Sequence, residues 1–486
     1  MEQIYRCILS EGKVQKIGDS SRKEFVKTYL NKLGYMVNEN ALTIIEQCDD
    51  WYSNRCIDDF HKRKNLNNVE YELTRMNFAK RCCADDANLC EIISVAPEKD
   101  SVSKGFIEQI LRDNRFDVRY REQLEKTTAT GTVGAYINLK NAKYIKANDK
   151  TIVKGGKIRI NYVDSDCIIP LTVENGLVTE VAFATTAKVK SKERTTLIIF
   201  DLDKNDLYVA RTVVFNQEGE VEDDLSMELQ LGDVKPFAIM QTAEVNNLDN
   251  MEGYGLPKIF GKIPLFKALD LAFNVLFSDL AKAEKIVLIN ELLSEVRDPN
   301  GNPTLTPQQK EIFVLLGEKL PDEKSLIQEY NPEIRIDQVT KAFELILSLL
   351  SMYFGYGTKK YSFDKTGQVK TATECIIDNQ QEMQELNKQR KQAVDYITDI
   401  VHAAMWFSNQ FCGTSYNLDE ELSIEFDDSV ITDKESMLES MRADALSFPE
   451  VTWLKLHYLM EKYNLTEEEA REYIGNIEEP VEDLDD

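Results

Sequence analysis

The chain contains little histidine and has no excess of basic residues. Its three histidines, His61, His402 and His457, are too scattered among 486 residues to suggest a zinc site. Asp and Glu number 84 against 58 Lys and Arg, which gives a formal net charge of −26. Tight phosphate binding depends on clustered Lys and Arg, so high-affinity, sequence-specific binding of nucleic acid is disfavoured. Weak or steric contact with DNA stays open.

Long apolar runs and paired cysteine motifs are also missing. No stretch reaches the ~18 consecutive apolar residues of a membrane-spanning helix. The first residues lack the basic start and apolar run of a signal peptide. The nine cysteines include no Cys-x-x-Cys pair, which favours free thiols in a reducing compartment. We therefore expect a soluble cytosolic protein, and its length predicts roughly two to four structural units.

The first half of the chain changes from helical to strand-like patterns near Ala129. Before that point, apolar spacing predicts four helices, at Arg22–Leu33, Ala41–Cys56, Tyr71–Cys90 and Lys104–Arg115. After it, short alternating runs separated by turn residues predict an antiparallel β meander over 130–240. The dipeptide Asn175-Gly176 lies between two such runs and predicts a tight hairpin turn.

Two strongly apolar helices are predicted further on, at Pro264–Val287 and Ile336–Phe354. The first carries a narrow polar stripe at three- and four-residue steps, formed by Lys267, Asp270, Asn274, Ser278, Lys282 and Lys285. The apolar remainder favours packing of the two helices on each other and on further copies of the chain. Between them, Asp298–Pro303 predicts a tight turn and Thr306–Leu316 a short helix.

A loop with glycines and lysines follows the second apolar helix. Its basic residues are Lys359, Lys360, Lys365 and Lys370. Thr371-Ala-Thr-Glu374 has the spacing of a capping box and predicts a helix that extends to about Phe407. The sequence then predicts three more helices, at Asp433–Leu446, Glu450–Tyr463 and Thr466–Ile474. The acidic segment 478–486 is expected to be disordered.

Candidates for chemistry are few and weak. Asp164-Ser-Asp166 and Asp201-Leu-Asp203 are carboxylate pairs of the kind that hold Mg²⁺, although chance pairs are expected in so acidic a chain. The segment Gly255–Ile263 has five residues between its glycines, where a phosphate-binding loop needs four, so nucleotide binding is rejected. His61 lies in a basic run, where a solvated turn is expected.

The order of several short motifs resembles one known family. Ahead of and within the first apolar helix stand Pro236-Phe237, Asn246-Asn247, Gly253-Tyr-Gly255 and Leu269-Asp270. After the second stand Phe363-Asp364, Gly367, Thr371-Ala-Thr-Glu374 and, near the end, Leu465-Thr-Glu-Glu-Glu-Ala470. This order resembles the portal proteins of tailed bacteriophages, of the type found in phages of Gram-positive hosts. The likeness covers most of the chain from about Met76 onward.

The resemblance implies an α+β fold that is mainly helical, has its antiparallel β meander in a wing, and assembles as a ring. The implied parts are a wing over 1–255 (helical over 1–130, β-rich over 130–240), a first stem helix over 256–288, a clip over 289–331, a second stem helix over 332–354, a tunnel loop over 355–371, a long helix that returns to the wing over 372–430, and a crown with an acidic tail over 431–486. Neither a cofactor nor a metal is implied.

The resemblance also implies a function, which is a non-enzymatic channel at one capsid vertex for DNA packaging, retention and ejection. The expected partners are further copies of the chain in a dodecamer, double-stranded DNA bound without sequence preference, the terminase, head–tail adaptor proteins, and the major capsid and scaffolding proteins. No membrane partner is expected. The expected location is the virion, with assembly in the host cytoplasm.

Two sets of residues are expected to face the DNA. In the tunnel loop they are Lys359, Lys360, Tyr361, Asp364, Lys365 and Lys370, although these lysines also fit an ordinary solvated loop. In the stem we expect the polar stripe from Lys267 to Lys285 to line the channel. Two alternatives remain open, a ring-forming head–tail adaptor or scaffold without a DNA channel and a Mg²⁺-dependent nuclease that uses the Asp-x-Asp pairs.

Overall fold

A computed structural model gives the structure of the protein, and it is a mixed α+β fold. It describes residues 23–64, 68–99, 101–147, 150–154, 156–189, 192–222, 226–249, 251–282, 286–290, 294, 296–306, 313–316, 327–331, 335–358, 360–362, 372–427, 434–447, 451–463, 465–466 and 469–471. Within these ranges, no helix is long and apolar enough to cross a membrane.

The helices and strands are named here in chain order. The helices are α1 (Glu24–Lys32), α2 (Glu39–Tyr52), α3 (Asp58–His61), α4 (Phe78–Asn88), α5 (Ser103–Asp113), α6 (Phe116–Thr130), α7 (Ile263–Lys282), α8 (Ile336–Tyr353), α9 (Ala372–Phe411), α10 (Lys434–Ser447) and α11 (Thr452–Tyr463). The strands are β1 (Lys62–Lys64), β2 (Glu70–Glu72), β3 (Ile92–Pro97), β4 (Thr132–Lys140), β5 (Lys143–Ala147), β6 (Lys150–Lys154), β7 (Lys157–Asp164), β8 (Ile168–Glu174), β9 (Leu177–Val189), β10 (Lys192–Leu202), β11 (Tyr208–Phe215), β12 (Met227–Gln230), β13 (Phe237–Gln241), β14 (Ile286–Asn290), β15 (Val296–Arg297), β16 (Pro303–Thr304), β17 (Phe313–Leu316), β18 (Ile327–Tyr330) and β19 (Leu422–Phe426).

Three of the four helices predicted in the N-terminal region are confirmed, and the fourth begins later than predicted. Helices α1, α2 and α5 confirm three predictions to within a few residues. The helix predicted from Tyr71 is wrong over its first turns, because residues 70–72 pair with β1 as strand β2. Asn77, in the left-handed conformation, then sets the start of α4. The sequence prediction also missed α6, which buries Phe116, Tyr120 and Leu124 at four-residue steps and, in its last turn, the threonines Thr127, Thr128 and Thr130.

The predicted meander is confirmed as a five-stranded antiparallel sheet in the order β12-β11-β10-β9-β8. Asn175 and Gly176 both have positive φ and join β8 to β9, as the hairpin signal predicts. Side chains alternate between its two faces. Ile169 and Ile199 pack with Val26 and Leu30 of α1, whereas Phe183 lies in the main core. Strands β4, β7 and β13 form a separate three-stranded sheet, so 130–240 is not one continuous sheet.

The main core joins parts of the chain that are far apart in sequence. Helix α9 packs on β4 and β13, and it buries Tyr396, Ile397 and Val401 there. Helices α4 and α6 complete this core from the N-terminal half. As a result, the region after the lysine-containing loop is held by strands formed more than 130 residues earlier.

Helices α7 and α8 leave this core side by side and carry a small β lobe. The first helix ends by Lys282 rather than at Val287, because the β-branched run from Ile286 forms strand β14 instead. Strand β14 is the centre of a sheet ordered β17-β14-β18. The helix predicted at Thr306–Leu316 is wrong over Phe313–Leu316, which is strand β17. The turn predicted at Asp298–Pro303 is confirmed by the β15–β16 hairpin.

The C-terminal helices α10 and α11 confirm the predictions at Asp433–Leu446 and Glu450–Tyr463. The capping box at Thr466 is also present. The Thr466 N–H donates to Glu469 Oε2 at 2.9 Å, and the Glu469 N–H donates to Thr466 Oγ1 at 3.4 Å. The box predicted at Thr371 lies outside the described residues, although α9 begins directly after it. That helix continues four residues beyond the predicted end, to Phe411.

Candidate functional site

Helices α7 and α8 form an antiparallel pair that is tied at both ends. At the end of α7, the guanidinium of Arg335 makes two 2.8 Å hydrogen bonds to the two carboxylate oxygens of Asp279. At the other end, the Lys262 ammonium lies 5.5 Å from the ring centre of Phe354, just after α8. The order of contacts along the two helices fixes their relative direction.

The helix pair exposes large apolar side chains along its length. Phe277 and Leu345 are 60% and 63% exposed. Others that are substantially exposed on the same two helices are Leu271, Val275, Leu280, Ile336, Met352 and Tyr353. A soluble monomer rarely exposes so much apolar surface on two neighbouring helices, whereas an interface with another molecule would cover it.

The polar stripe of α7 contacts an N-terminal segment of the same chain. Asn274 holds both backbone groups of Thr74, since its Oδ1 accepts from the N–H at 2.9 Å and its Nδ2 donates to the carbonyl at 2.7 Å. Asp270 Oδ1 accepts from the Met76 N–H at 2.9 Å. The ammonium of Lys267 lies over the ring of Phe60. These three stripe residues therefore have partners within the chain.

The rest of the stripe is only partly described. Ser278 is half-buried on α7. Lys282 ends the helix, with its side chain outside the described residues, and Lys285 lies wholly outside them. Our expectation that the stripe lines a channel thus stays a prediction. Asp270 and Asn274 form hydrogen bonds with the segment that contains Thr74 and Met76.

His61 is buried, so the expectation of a solvated basic turn is wrong. It is 1% exposed, and its Nε2 lies 3.3 Å from Oδ2 of the Asp270 carboxylate. The Ile57 N–H donates to Nδ1 of the ring, so the neutral imidazole carries its proton on Nε2 and donates it to Asp270. Burial raises the pKa of Asp270, and the bonds from Met76 and His61 oppose that rise. The residues next to His61 and Asp270 in the sequence do not indicate this pair, because 209 residues separate its members.

The start of the lysine-containing loop is fixed by a buried polar network around Asp86. This carboxylate accepts hydrogen bonds from Lys258 Nζ at 2.6 Å, Thr128 Oγ1 at 2.7 Å and Tyr356 Oη at 2.7 Å. Burial would raise the pKa of Asp86, but Lys258 and the hydroxyl donors outweigh it and lower the pKa. The same carboxylate raises the pKa of Lys258 against the effect of burial. Both partners are therefore ionised at neutral pH.

The described part of the loop packs against the body of the protein. The Lys360 ammonium forms a 2.5 Å ion pair with Glu382 of α9 and lies 4.7 Å from the ring centre of Tyr356. The Tyr361 ring meets Phe78 edge to face at 5.1 Å, and its N–H donates to Ser351 Oγ. Lys360 and Tyr361 thus contact the body of the same chain, and the expectation that they face DNA stays a prediction. The other predicted loop residues, Lys359, Asp364, Lys365 and Lys370, lie outside the described residues.

The Asp-x-Asp pairs are engaged in separate interactions. Asp164 forms an ion pair with Lys126 at 3.0 Å, and Asp201 forms one with Arg211 at 2.6 Å. Asp203 accepts from the N–H groups of Asn205 and Leu207, and these bonds lower its pKa. Across the described ranges, no three His, Cys, Asp or Glu side chains come together as a metal site. The geometry gives the nuclease alternative no assembled centre there.

No protein-family model matches the chain, and no relative is found among curated proteins.

Proposed function

We propose that the chain is the subunit of a phage portal, a homo-oligomeric ring that conducts double-stranded DNA through one vertex of a capsid. The observation that carries the proposal is the antiparallel α7–α8 pair with its exposed apolar residues. The pair is joined by a small β lobe and followed by a lysine-containing loop that leads into the long helix α9. This arrangement follows the order of parts in the family that the sequence resembles.

The exposed apolar residues suit a ring because each subunit of a ring has two neighbours. Phe277 on α7 and Leu345 on α8 would each be covered by an adjacent copy, as would the other exposed apolar residues of the pair. Burial of a large apolar side chain contributes about 1.5–3 kcal/mol, so several such residues repeated at every interface favour a closed assembly. Three residues of the α7 stripe, Lys267, Asp270 and Asn274, contact the same subunit, which leaves the apolar surface for neighbours.

The negative net charge suits a channel through which DNA passes rather than a protein that binds DNA tightly. A net charge of −26 per chain opposes tight phosphate binding, and low friction with DNA of any sequence requires that few cations touch it. The Asp86 network and the Lys360–Glu382 pair hold the start of the tunnel loop to the body. Under this proposal, the remaining loop lysines make weak, transient contacts with the DNA phosphates.

The expected partners of such a ring follow from the same proposal. The β lobe at the far end of α7 and α8 would dock the terminase and, later, the head–tail adaptor proteins. The body would contact the major capsid and scaffolding proteins. The ring would form in the host cytoplasm and remain in the virion.

The proposal is tested by measuring the oligomeric state of the purified chain. Native mass spectrometry and negative-stain microscopy are expected to give rings, near twelve subunits, with a central hole wide enough for duplex DNA. Monomers that persist across protein concentration and salt would overturn the proposal, and closed rings without a hole would favour an adaptor.

Two variants separate the proposed interface from general loss of solubility. Phe277→Asp and Leu345→Asp are expected to reduce the ring population at least tenfold while the circular dichroism spectrum is unchanged. Leu177→Asp is the control, because this residue is 68% exposed at the β8–β9 hairpin, away from the helix pair. Rings that survive both helix substitutions would show that this surface is not the interface.

A further inference from the structure

A groove runs along the free edge of strand β3. The strand pairs with β19 on one edge, and within the described chain nothing pairs with its other edge. The five consecutive residues from Glu91 to Val95 line this groove, whose volume is about 730 Å³. Because successive side chains of a strand point to opposite faces, a groove that meets all five must follow the strand edge. It is called the β3 groove below.

The opposite wall of the β3 groove is formed where α5 ends and α6 begins. Arg112, Arg115 and Val118 line it. The wall is held in place by Asn114, whose Oδ1 accepts from the Ile160 N–H of β7 at 3.0 Å and whose Nδ2 donates to the Ile110 carbonyl at 2.8 Å. Arg115 has a φ of 52°, in the left-handed region, which fixes the sharp change of direction between the two helices.

The charges in the groove differ in sign from the rest of the molecule. Arg112 and Arg115 are both exposed, and neither forms an ion pair with any described residue. Of the other charged lining groups, Glu91 is paired with Arg121 at 3.2 Å, and Asp117 is the remaining carboxylate. The groove therefore has an excess of one positive charge in a chain whose net charge is −26.

Apolar side chains flank these arginines. Ile93 on the strand is 66% exposed, and Val118 on the facing wall is 44% exposed. An open strand edge with exposed aliphatic residues is a site where an extended segment binds, because the edge offers free N–H and C=O groups. Arginines on the facing wall select for a segment that carries carboxylates.

We propose that the β3 groove binds the acidic segment 478–486 of this chain. The segment reads Glu-Glu-Pro-Val-Glu-Asp-Leu-Asp-Asp, so its carboxylates complement Arg112 and Arg115, while Val481 and Leu484 match the aliphatic residues of the groove. Pro480 favours an extended backbone in the residue before it. This contact does not depend on the portal proposal, and it places the C-terminal segment on a surface built from the N-terminal half.

The proposal is tested with a chain that ends at Ile477 and a labelled peptide of residues 476–486. Fluorescence anisotropy at low and moderate salt is expected to show saturable binding that weakens as salt rises, because the contacts are exposed ion pairs. The truncated chain carrying Arg112→Glu and Arg115→Glu together is expected to bind at least tenfold more weakly. Arg119→Glu is the matched control, because Arg119 is exposed on α6 and paired with Glu122, outside the groove, and it is expected to change the affinity less than twofold.

A scrambled peptide of the same composition separates a specific segment from any polyanion. Equal binding of the scrambled peptide would overturn the assignment to segment 478–486, as would an affinity unchanged by the double arginine substitution. Circular dichroism of each variant confirms that the fold is retained.

The same contact is testable in the full-length chain by hydrogen–deuterium exchange. Removal of residues 478–486 is expected to speed amide exchange in the peptide that covers 91–97, and Arg112→Glu with Arg115→Glu should have the same effect. Exchange there that is identical with and without the segment would show that the groove is not occupied by it.

Discussion

Tyr356 and Asp86 lie 270 residues apart in the chain, yet the Tyr356 hydroxyl donates a 2.7 Å hydrogen bond to Asp86 Oδ1. This bond ties the residues just after α8 to α4, in the N-terminal half. Lys258, which precedes α7, donates to the same oxygen. One buried carboxylate therefore fixes the relative position of both apolar helices and the start of the lysine-containing loop.

Removing the Tyr356 hydroxyl tests how much this hydrogen bond contributes to the free energy of unfolding. Tyr356→Phe keeps the ring, which stacks on Phe354, and removes one donor to a buried charge. We expect a loss of about 1.5–3 kcal/mol in the free energy of unfolding, measured by urea titration at pH 7. Tyr71→Phe is the control, because Tyr71 is 49% exposed on strand β2 and should change this free energy by less than ~0.5 kcal/mol. Equal effects from the two variants would contradict the role given to Tyr356.

The Asp86–Lys258 pair predicts a characteristic dependence of stability on pH. The pKa of Asp86 is lowered on folding, so its contribution is complete above its unfolded pKa of about 3.9 and is lost as the pH falls through the lower folded value. The pKa of Lys258 is raised, so its contribution is complete below about 10.4 and is lost as the pH rises through the higher folded value.

Asp86→Asn should therefore destabilise the protein by a nearly constant amount between about pH 5 and 7, and by less at higher pH, because the buried Lys258 can then lose its proton. We expect roughly 3–5 kcal/mol, because Lys258 is left buried without its counter-charge. Urea unfolding of wild type and variant at several pH values measures the difference. The double variant Asp86→Asn, Lys258→Met should recover part of the loss, and a difference that grew as the pH rose from 7 to 9 would refute the assignment.

Asn274 should be a structural residue of the α7 stripe. Asn274→Ala removes both hydrogen bonds to Thr74, so amide exchange over 70–77 is expected to speed up and the free energy of unfolding to fall by about 1–2 kcal/mol. Ser278→Ala is the matched control, since Ser278 is the next stripe residue and forms no hydrogen bond with the described residues. If Ser278→Ala had the larger effect on the 70–77 segment, the described contact would be wrong.

Gly131 is expected to tolerate no side chain. Its φ is +85°, and a Cβ there would overlap the Gly255 carbonyl oxygen, where the two backbones cross. Gly131→Ala should cost about 3 kcal/mol or more, because neither backbone can move away easily. Gly261→Ala is the control, as a Cβ there meets no atom within 4 Å. Thermal melts of the two variants measure the contrast, and similar melting temperatures would contradict it.

The local elements were the most predictable part of the fold. The meander is predictable because apolar and polar residues alternate along its strands and because Asn175-Gly176 is a typical hairpin turn between two of them. Helix α8 was predicted within one residue because its apolar residues follow a helical period. The end of α7 was not, since the run from Ile286 is apolar in either conformation and only its pairing with β17 and β18 makes it a strand.

Long-range polar contacts were the least predictable part of the candidate site. Nothing near Asp86 or Lys258 indicates that these residues meet, and each resembles an ordinary surface charge in its own helix or turn. Asp270 is one member of the predicted polar stripe, and its burial depends on contacts with His61 and Met76, which belong to a distant segment of the chain. Periodicity describes one element at a time, whereas these contacts depend on how elements are placed together.

The paired hydrogen bonds between Arg335 and Asp279 mean that the β lobe leaves and re-enters the body at one place. The chain between these two residues is thus a closed loop. Lengthening such a loop costs little free energy, because the entropy of loop closure grows only with the logarithm of its length. An insertion within the lobe is therefore expected to cost little stability. Foreign sequence grafted at Gly301, a hairpin position with open space around it, would change what the tip presents while the helices beneath keep their spacing.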